Sequence, residues 1–425
     1  MQFAQWLVED GVDMFHVAQA NHTGNMADTI PPMGVQPYGF FVKIAGDIKK
    51  AVNVPVSAVG RIVDAEMAER VIESGMADIV AMGRPLLADP DWGTKIAAGK
   101  ACDIRRCISC NKGCTDAIQN RQFLSCVLNA ENGYENSRSI QPAEQKKKIA
   151  VLGGGPAGLE AARVAALRGH DVTLFEKTTS LGGQLNIACV PPRKEEMRRA
   201  TQDLIHAVCN AGVHLCMGQT RTAEQLKDAG FEAVINAVGA HSAAPRIPGI
   251  DSVNVADAWK VLAGEQQVYG TVAVIGGGMV GCETAEYLAA RGCKVSVIEM
   301  MDKIAAGEST TILPTLLENY KTYGVEQYPS HKVKEFRMDA VVCREQGRRR
   351  GDHPLRLHRA GHWAHAPTHL TLLRWNLPAS RCIPSAMPPV RLRISPTPSA
   401  PVTIPPASCK QNIVLFVGQK RLWAA

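Results

Sequence analysis

Short apolar runs alternate with helix-periodic stretches through the first hundred residues, and that alternation predicts βα units on a parallel sheet. Gly11-Val12-Asp13-Met14-Phe15-His16-Val17 and Gly75-Met76-Ala77-Asp78-Ile79-Val80-Ala81-Met82 are two copies of one unit, in which a helix leads into Gly, one or two residues, Asp and an apolar strand. Val54-Pro55-Val56-Ser57-Ala58-Val59-Gly60 is a third strand of the buried type, with helical stretches at 40–50 and 64–74 on either side. As units of an eight-stranded barrel these three would leave five unaccounted for, together with an exposed sheet edge.

A turn-rich stretch, 101–145, ends in Lys146-Lys147-Lys148 and opens onto the apolar strand Ile149-Ala150-Val151-Leu152. Two strand, glycine-turn, helix and strand blocks follow at 149–176 and 272–299, an internal duplication that organises the rest of the chain. Past Cys343, Arg, His and Pro accumulate and the hydrophobic period stops, so no fold is expected there.

Composition changes this picture little. With 425 residues, 46% of them apolar, the chain is long enough for two to four domains with buried cores. The formal charge of +7 suggests a nucleic-acid partner until it is located. From Arg344 onward, 13 Lys and Arg face only Glu345 and Asp352, which puts +11 in the tail and leaves −4 for the rest. A mildly acidic body without a basic stripe argues against nucleic acid. No run approaches the roughly 20 apolar residues of a membrane span, and the first ten residues lack a basic and apolar leader pattern, so a cytoplasmic address is expected.

Candidate chemistry begins with Gly153-Gly154-Gly155-Pro156-Ala157-Gly158, which follows a strand and opens an Ala- and Leu-rich helix. The next strand ends in Glu176, where a carboxylate can accept hydrogen bonds from ribose hydroxyls. Glycines let backbone amides approach a pyrophosphate, and the helix N-terminus favours its charge. Gly276-Gly277-Gly278-Met279-Val280-Gly281 repeats the arrangement, with Glu299 at the end of its second strand. A carboxylate there repels a 2′-phosphate and favours NADH, a preference that nearby Arg291 and Lys303 moderate. Between the blocks, Leu181-Gly182-Gly183-Gln184-Leu185, Val234-Ile235-Asn236-Ala237-Val238-Gly239-Ala240, Pro245 and Pro248-Gly249 resemble segments that flank FAD in glutathione-reductase-like flavoproteins. That likeness implies FAD at the first block, with Gly183 and Gln184 beside it, and NADH at the second.

Of 13 cysteines, four are clustered as Cys107-x2-Cys110-x3-Cys114-x11-Cys126, with Cys102 outside the pattern. Clustering in a chain without secretory features suggests metal rather than disulfides. Four thiolates can hold zinc or an iron–sulfur cluster, and spacing alone leaves both open. Zinc loops usually pair two C-x2-C knuckles, which this segment does not, and flavin-type folds downstream favour a [4Fe–4S] centre.

Together with the cysteine spacing, Val59-Gly60-Arg61-Ile62, Met82-Gly83-Arg84-Pro85 and Ala88-Asp89-Pro90-Asp91 resemble the family of 2-enoate reductase, 2,4-dienoyl-CoA reductase and trimethylamine dehydrogenase. The likeness covers about 1–343. It implies an α/β chain holding the last strands of an FMN-type (β/α)8 barrel, a Cys-rich cluster segment and two Rossmann-like dinucleotide-binding domains. The division is 1–100 for the barrel part, 101–145 for the iron–sulfur segment, 146–262 for FAD, 263–343 for an incomplete NAD(H) domain and 344–425 for a tail outside the family pattern. By the same resemblance Arg61 and the Gly83-Arg84 backbone would grip the FMN phosphate, although an arginine after a barrel strand is also commonly an ordinary ion pair. His22 lies in the loop where dienoyl-CoA reductases are similar in placing an active-site histidine; a loop histidine is otherwise merely solvated.

The resemblance implies NADH reduction of FAD, single-electron transfer through the cluster, and FMN reduction of an activated C=C bond in a small enoate or enoyl-thioester. The amine dehydrogenases of the family imply the reverse flow, and a non-functional fragment is the third reading. The barrel's first part and the family's closing segments are not found in the sequence. Shifting the frame beneath His353 to Gly361 and Ser385 to Ser399 can restore a buried strand and a Gly-Asp turn, so a displaced reading frame is expected in the tail. Weak or absent enoate reduction and marginal NADH-to-dye activity are expected of this polypeptide, with oligomeric state left open.

Overall fold

The computed structural model describes residues 1–19, 26–240, 245–345, 355–357 and 371–374. In the first region β1 (Phe15–Val17), β2 (Val56–Ala58) and β3 (Ile79–Val80) run parallel in the order β1-β2-β3. The helices Gln2–Glu9, Val42–Lys49 and Ala65–Glu73 precede the three strands in turn. Val17, Val56, Ala58, Ile62, Val71 and Ala77 are buried together in one core between sheet and helices. Asp64 starts the third helix by accepting from the Met67 amide at 2.9 Å, which supplies one of the donors a helix end leaves unsatisfied.

The next domain holds β4 (Lys148–Leu152), β5 (Asp171–Glu176), β6 (His214–Met217) and β7 (Ala233–Asn236), all parallel in the order β6-β5-β4-β7. Ile149, Val151, Val172 and Leu174 are buried against the helix Pro156–Leu167, which packs on the sheet. Then come β8 (Val255–Asp257), β9 (Thr271–Ile275), β10 (Lys294–Ile298) and β11 (Glu326–Tyr328), followed by an antiparallel meander of β12 (His331–Phe336), β13 (Val341–Glu345) and β14 (Leu355–Leu357). A last strand, β15 (Thr371–Arg374), inserts between β9 and β8 and completes a parallel sheet in the order β11-β10-β9-β15-β8.

One expectation changes here. β14 and β15 lie in the stretch for which composition predicts no fold, and backbone pairing with β13, and with β9 and β8, holds them. Such pairing uses amide and carbonyl groups that every residue type carries, so composition is silent on it. Among the described residues, no helix is long and apolar enough to cross a membrane.

Candidate functional site

Each glycine block folds into the same turn, down to individual hydrogen bonds. Gly153 has φ +101° and Gly276 φ +97°, a conformation costly for any residue with a Cβ, and each donates to the carbonyl of the neighbouring strand at 2.8 Å. Gly155 and Gly278 cap the helices Pro156–Leu167 and Met279–Ala289. A Cβ on Gly158 would lie 1.9 Å from the Gly153 carbonyl oxygen, and one on Gly281 would lie 1.8 Å from that of Gly276. Only hydrogen fits there, so helix and strand close to backbone contact. Pro156 and Ala157 form the first helical positions, where a missing donor costs nothing.

Glu176 ends β5 as expected, whereas Glu299 lies one residue past the end of β10, and each also organises its own turn. Glu176 Oε2 accepts from the Gly154 amide at 2.6 Å, and Glu299 Oε2 accepts from the Gly277 amide at 2.6 Å. The other oxygens accept from the Thr178 amide at 2.8 Å and the Met301 amide at 2.7 Å. Carboxylate oxygens each take more than one bond, so capacity toward a ribose hydroxyl is left. Gly183 has φ +54° and sits so close to Gly155 that a Cβ would fall 3.0 Å from its Cα. Beside it, Gln184 Nε2 donates to the Ala240 carbonyl at 2.6 Å, which ties the two flanking segments over the first turn.

Cys107, Cys110, Cys114 and Cys126 line one cavity with Arg84, Leu87, Ile108, Val127 and Leu128. Left-handed Ser109 (φ +49°) and Asn111 (φ +59°) reverse the chain between them, and Gly113 packs where a Cβ would lie 2.6 Å from the Ser125 carbonyl oxygen. Burial pushes the Cys110 thiol up to about 12 and the Cys126 thiol up to about 11, and it raises Cys107 as well. The Ser109 amide donates to Cys107 Sγ at 3.3 Å. Among the described residues, no three His, Cys, Asp or Glu side chains approach closely enough to hold a single metal ion. The thiols ring an apolar wall instead of meeting at one point.

Asn111 fastens this loop to both sides of the molecule. Its amide donates to the Ile30 carbonyl at 3.0 Å and to Thr311 Oγ1 at 2.9 Å, and its oxygen accepts from Arg84 at 2.6 Å. Arg84 also donates to the Pro31 carbonyl at 3.1 Å, so its guanidinium faces the cysteine loop. Gly83 precedes it with open space where a Cβ would be. Arg61, left-handed at φ +53° and buried, donates to the Pro32 carbonyl and to Glu196, and lies over the Tyr38 ring at 4.7 Å. Its Nε is buried without a partner. His22 lies outside the described residues.

Sequence reasoning misses the charges that join the domains. Arg193 pairs with Glu286 through both terminal guanidinium nitrogens, Lys194 pairs with Glu283, and Lys112 of the cysteine loop pairs with Glu308 at 3.1 Å. Burial lowers the Lys194 ammonium, yet the charges of Glu283 and Glu308 outweigh it and hold the group above its ordinary value. Burial raises Glu283, with the Lys194 charge opposing. The available signal was two acids on a helix that is otherwise apolar, Glu283 and Glu286.

A barrel-type parallel sheet leads through a cysteine loop into two glycine-turn domains, an α/β layout of barrel and Rossmann-like parts. Residues 5–103 match the NADH:flavin oxidoreductase / NADH oxidase family, and residues 147–355 match the pyridine nucleotide-disulphide oxidoreductases. The chain belongs to the NADH:flavin oxidoreductase family of the 2-enoate reductase type. It is 56% identical over 341 residues to a bilirubin reductase of Mediterraneibacter gnavus, covering 80% of this chain and 53% of that one. An NADH oxidase of Thermoanaerobacter brockii is 41% identical, over 79% of this chain and 52% of its own length. A 2-naphthoyl-CoA reductase in complex with 2-naphthoyl-CoA superimposes with a TM-score of 0.78 at 25% identity, covering 88% of this chain and 55% of that one. The chain thus spans about half the length of the curated relatives it matches.

Proposed function

We propose that this chain is the electron-transfer part of an NADH-dependent flavin and iron–sulfur oxidoreductase that reduces an activated C=C bond in a small enoate or enoyl-thioester. The observation that carries this reading is the position of the four-thiol cavity. Its wall includes Arg84 and Leu87 of the barrel part, and its loop is bonded to Thr311 beyond the second glycine turn. Sulfur donors around an apolar space fit a polynuclear cluster better than a single ion, which needs four ligands at bonding distance from one point.

When bound, NADH and the flavins supply hydride and single-electron chemistry, and a cluster carries single electrons between them. The chain's residues supply the holding and the insulation. Gly155 and Gly278 set two helix N-termini toward bound pyrophosphates, and Glu176 and Glu299 keep acceptors beside the riboses. Leu87, Ile108, Val127 and Leu128 exclude water around the four cysteines. Toward an FMN phosphate, the partnerless Arg61 Nε and the open backbone at Gly83 are the groups that fit. Relatives named bilirubin reductase, cinnamate reductase and 2-naphthoyl-CoA reductase support reduction of a conjugated substrate.

Anaerobic reconstitution of the full chain with iron, sulfide and FAD tests the reading. About four iron atoms per chain, bound flavin and NADH-dependent dye reduction are expected, with the enoate assayed alongside. Protein that retains neither iron nor flavin overturns it.

A further inference from the structure

The cysteine segment rests on a helix of the flavin-binding domain, and the contact has a regular spacing. In Glu195–Asn210, positions 196, 199, 203, 206 and 210 recur every three or four residues and therefore share one face. Glu196 accepts from Arg61 and from the Gly34 amide at 3.1 Å. Arg199 donates to the Cys107 carbonyl at 3.0 Å. Asp203 accepts from Arg106 three times, from its amide at 3.2 Å, its Nε at 3.1 Å and its terminal nitrogen. His206 lies 2.8 Å from Asp103, and Asn210 donates to the same carboxylate at 2.7 Å.

The order is antiparallel, residues 107, 106 and 103 meeting 199, 203 and 206 in turn. Met197 and Ala200 continue the contact with Ile108, Val127 and Leu128, while Leu204, Ile205 and Val208 face the core of the flavin-binding domain. One helix thus belongs to that core on one side and carries the cysteine segment on the other. Asp203 is the strongest single hold, because it is 8% exposed and faces a guanidinium in a bidentate, charge-assisted pair.

We propose that this polar stripe is the docking spine that orders the cysteine segment, with Asp203 and Arg106 its anchor, so that the four thiols keep their arrangement only while the segment is seated on the flavin-domain helix. Asp203 and Arg106 are positioning residues, and the inference stands whichever cofactor the thiols hold.

Hydrogen exchange on the full chain tests it. In Asp203→Asn and in Arg106→Gln, amides of 101–128 should exchange roughly tenfold faster or more, the effect of losing a charge-assisted bond, while amides of 149–176 keep the parent rate. The charge-exchanged double variant Asp203→Arg with Arg106→Asp should recover most of the protection. In reconstituted protein, each single variant should also lose iron while retaining bound flavin. Unchanged exchange in 101–128, or an equal rise in 149–176, overturns the proposal. A parent chain that binds no iron but shows the selective exchange would sink the cluster reading alone.

Discussion

The two glycine turns are copies of each other, yet the helices they open have opposite relations to the rest of the molecule. Counting from the capping glycine, Glu160 and Arg163 of the first helix correspond to Glu283 and Glu286 of the second. In the first helix the two side chains satisfy one another through a two-pronged pair at 2.7 and 2.8 Å. In the second both positions are acids, and their partners are Lys194 and Arg193 from the first glycine-turn domain. Thus the turn is a local device that survives duplication unchanged, and the following helix shows how each copy was fitted to its neighbours. A self-contained ion pair leaves a helix independent, whereas two unpaired buried acids oblige it to dock.

Substituting the glycines at the helix–strand crossing is the largest expected disturbance of cofactor binding and should affect both copies alike. Gly158→Ala and Gly281→Ala each force a Cβ into a carbonyl oxygen, and a loss on the order of 3 kcal/mol, about a hundredfold in affinity, is expected. Flavin content measures the first and NADH titration the second; if either alanine is tolerated, the copies are not equivalent. Glu286→Ala comes next, because it strands Arg193 and Asn319, both bonded to that carboxylate. Denaturant unfolding should show a loss of roughly 3–5 kcal/mol, against about 1 kcal/mol or less for Glu160→Ala on the partly exposed pair. Equal losses would erase the distinction between the helices.

Glu299→Ala should have a smaller effect, a rise of roughly tenfold in the NADH KM with a narrower preference over NADPH, since the carboxylate both holds the Gly277 amide and disfavours a 2′-phosphate. An unaltered NADH-to-NADPH ratio would separate Glu299 from cofactor choice. Acidity gives the smallest signal and sharpens the comparison most. Burial acts to raise Glu160, but its bonds and the charge of Arg163 outweigh this and hold it below the usual 4.5, so its contribution is present above pH 4.5 and is lost as pH falls through the lowered value. Glu283 is raised by burial, so its proton uptake favours the fold at acid pH and that advantage is lost as pH rises from 4.5 through the raised value. Stability curves of Glu160→Gln and Glu283→Gln against pH should therefore diverge from the parent in opposite directions, and parallel divergence would contradict the assignment.

Much of this was legible in the sequence for a physical reason. The turn at 153–158, its carboxylate at 176 and the four-cysteine spacing are set by interactions among nearby residues, and glycine or thiol chemistry admits few alternatives. The parallel strands showed themselves as buried apolar runs. Arg61 shows the limit, since it followed the family pattern while its ion-pair partner, Glu196, lies 135 positions away. The stripe at 199, 203 and 206 has the spacing of any solvated helix face, and only the cysteine segment lying against it makes it otherwise.

By itself, then, the sequence determined two dinucleotide-type turns, a four-thiol loop and the order in which they occur, because each depends on short-range geometry that particular residues impose. Tertiary structure alone decided which charges are buried and what they meet: Glu286 with Arg193 across 93 positions, Asp203 with Arg106 across 97, and β15 between β9 and β8. A charged side chain on a helix face has the same pattern whether it meets water or another domain, and the difference is made only when the two surfaces close and remove the water.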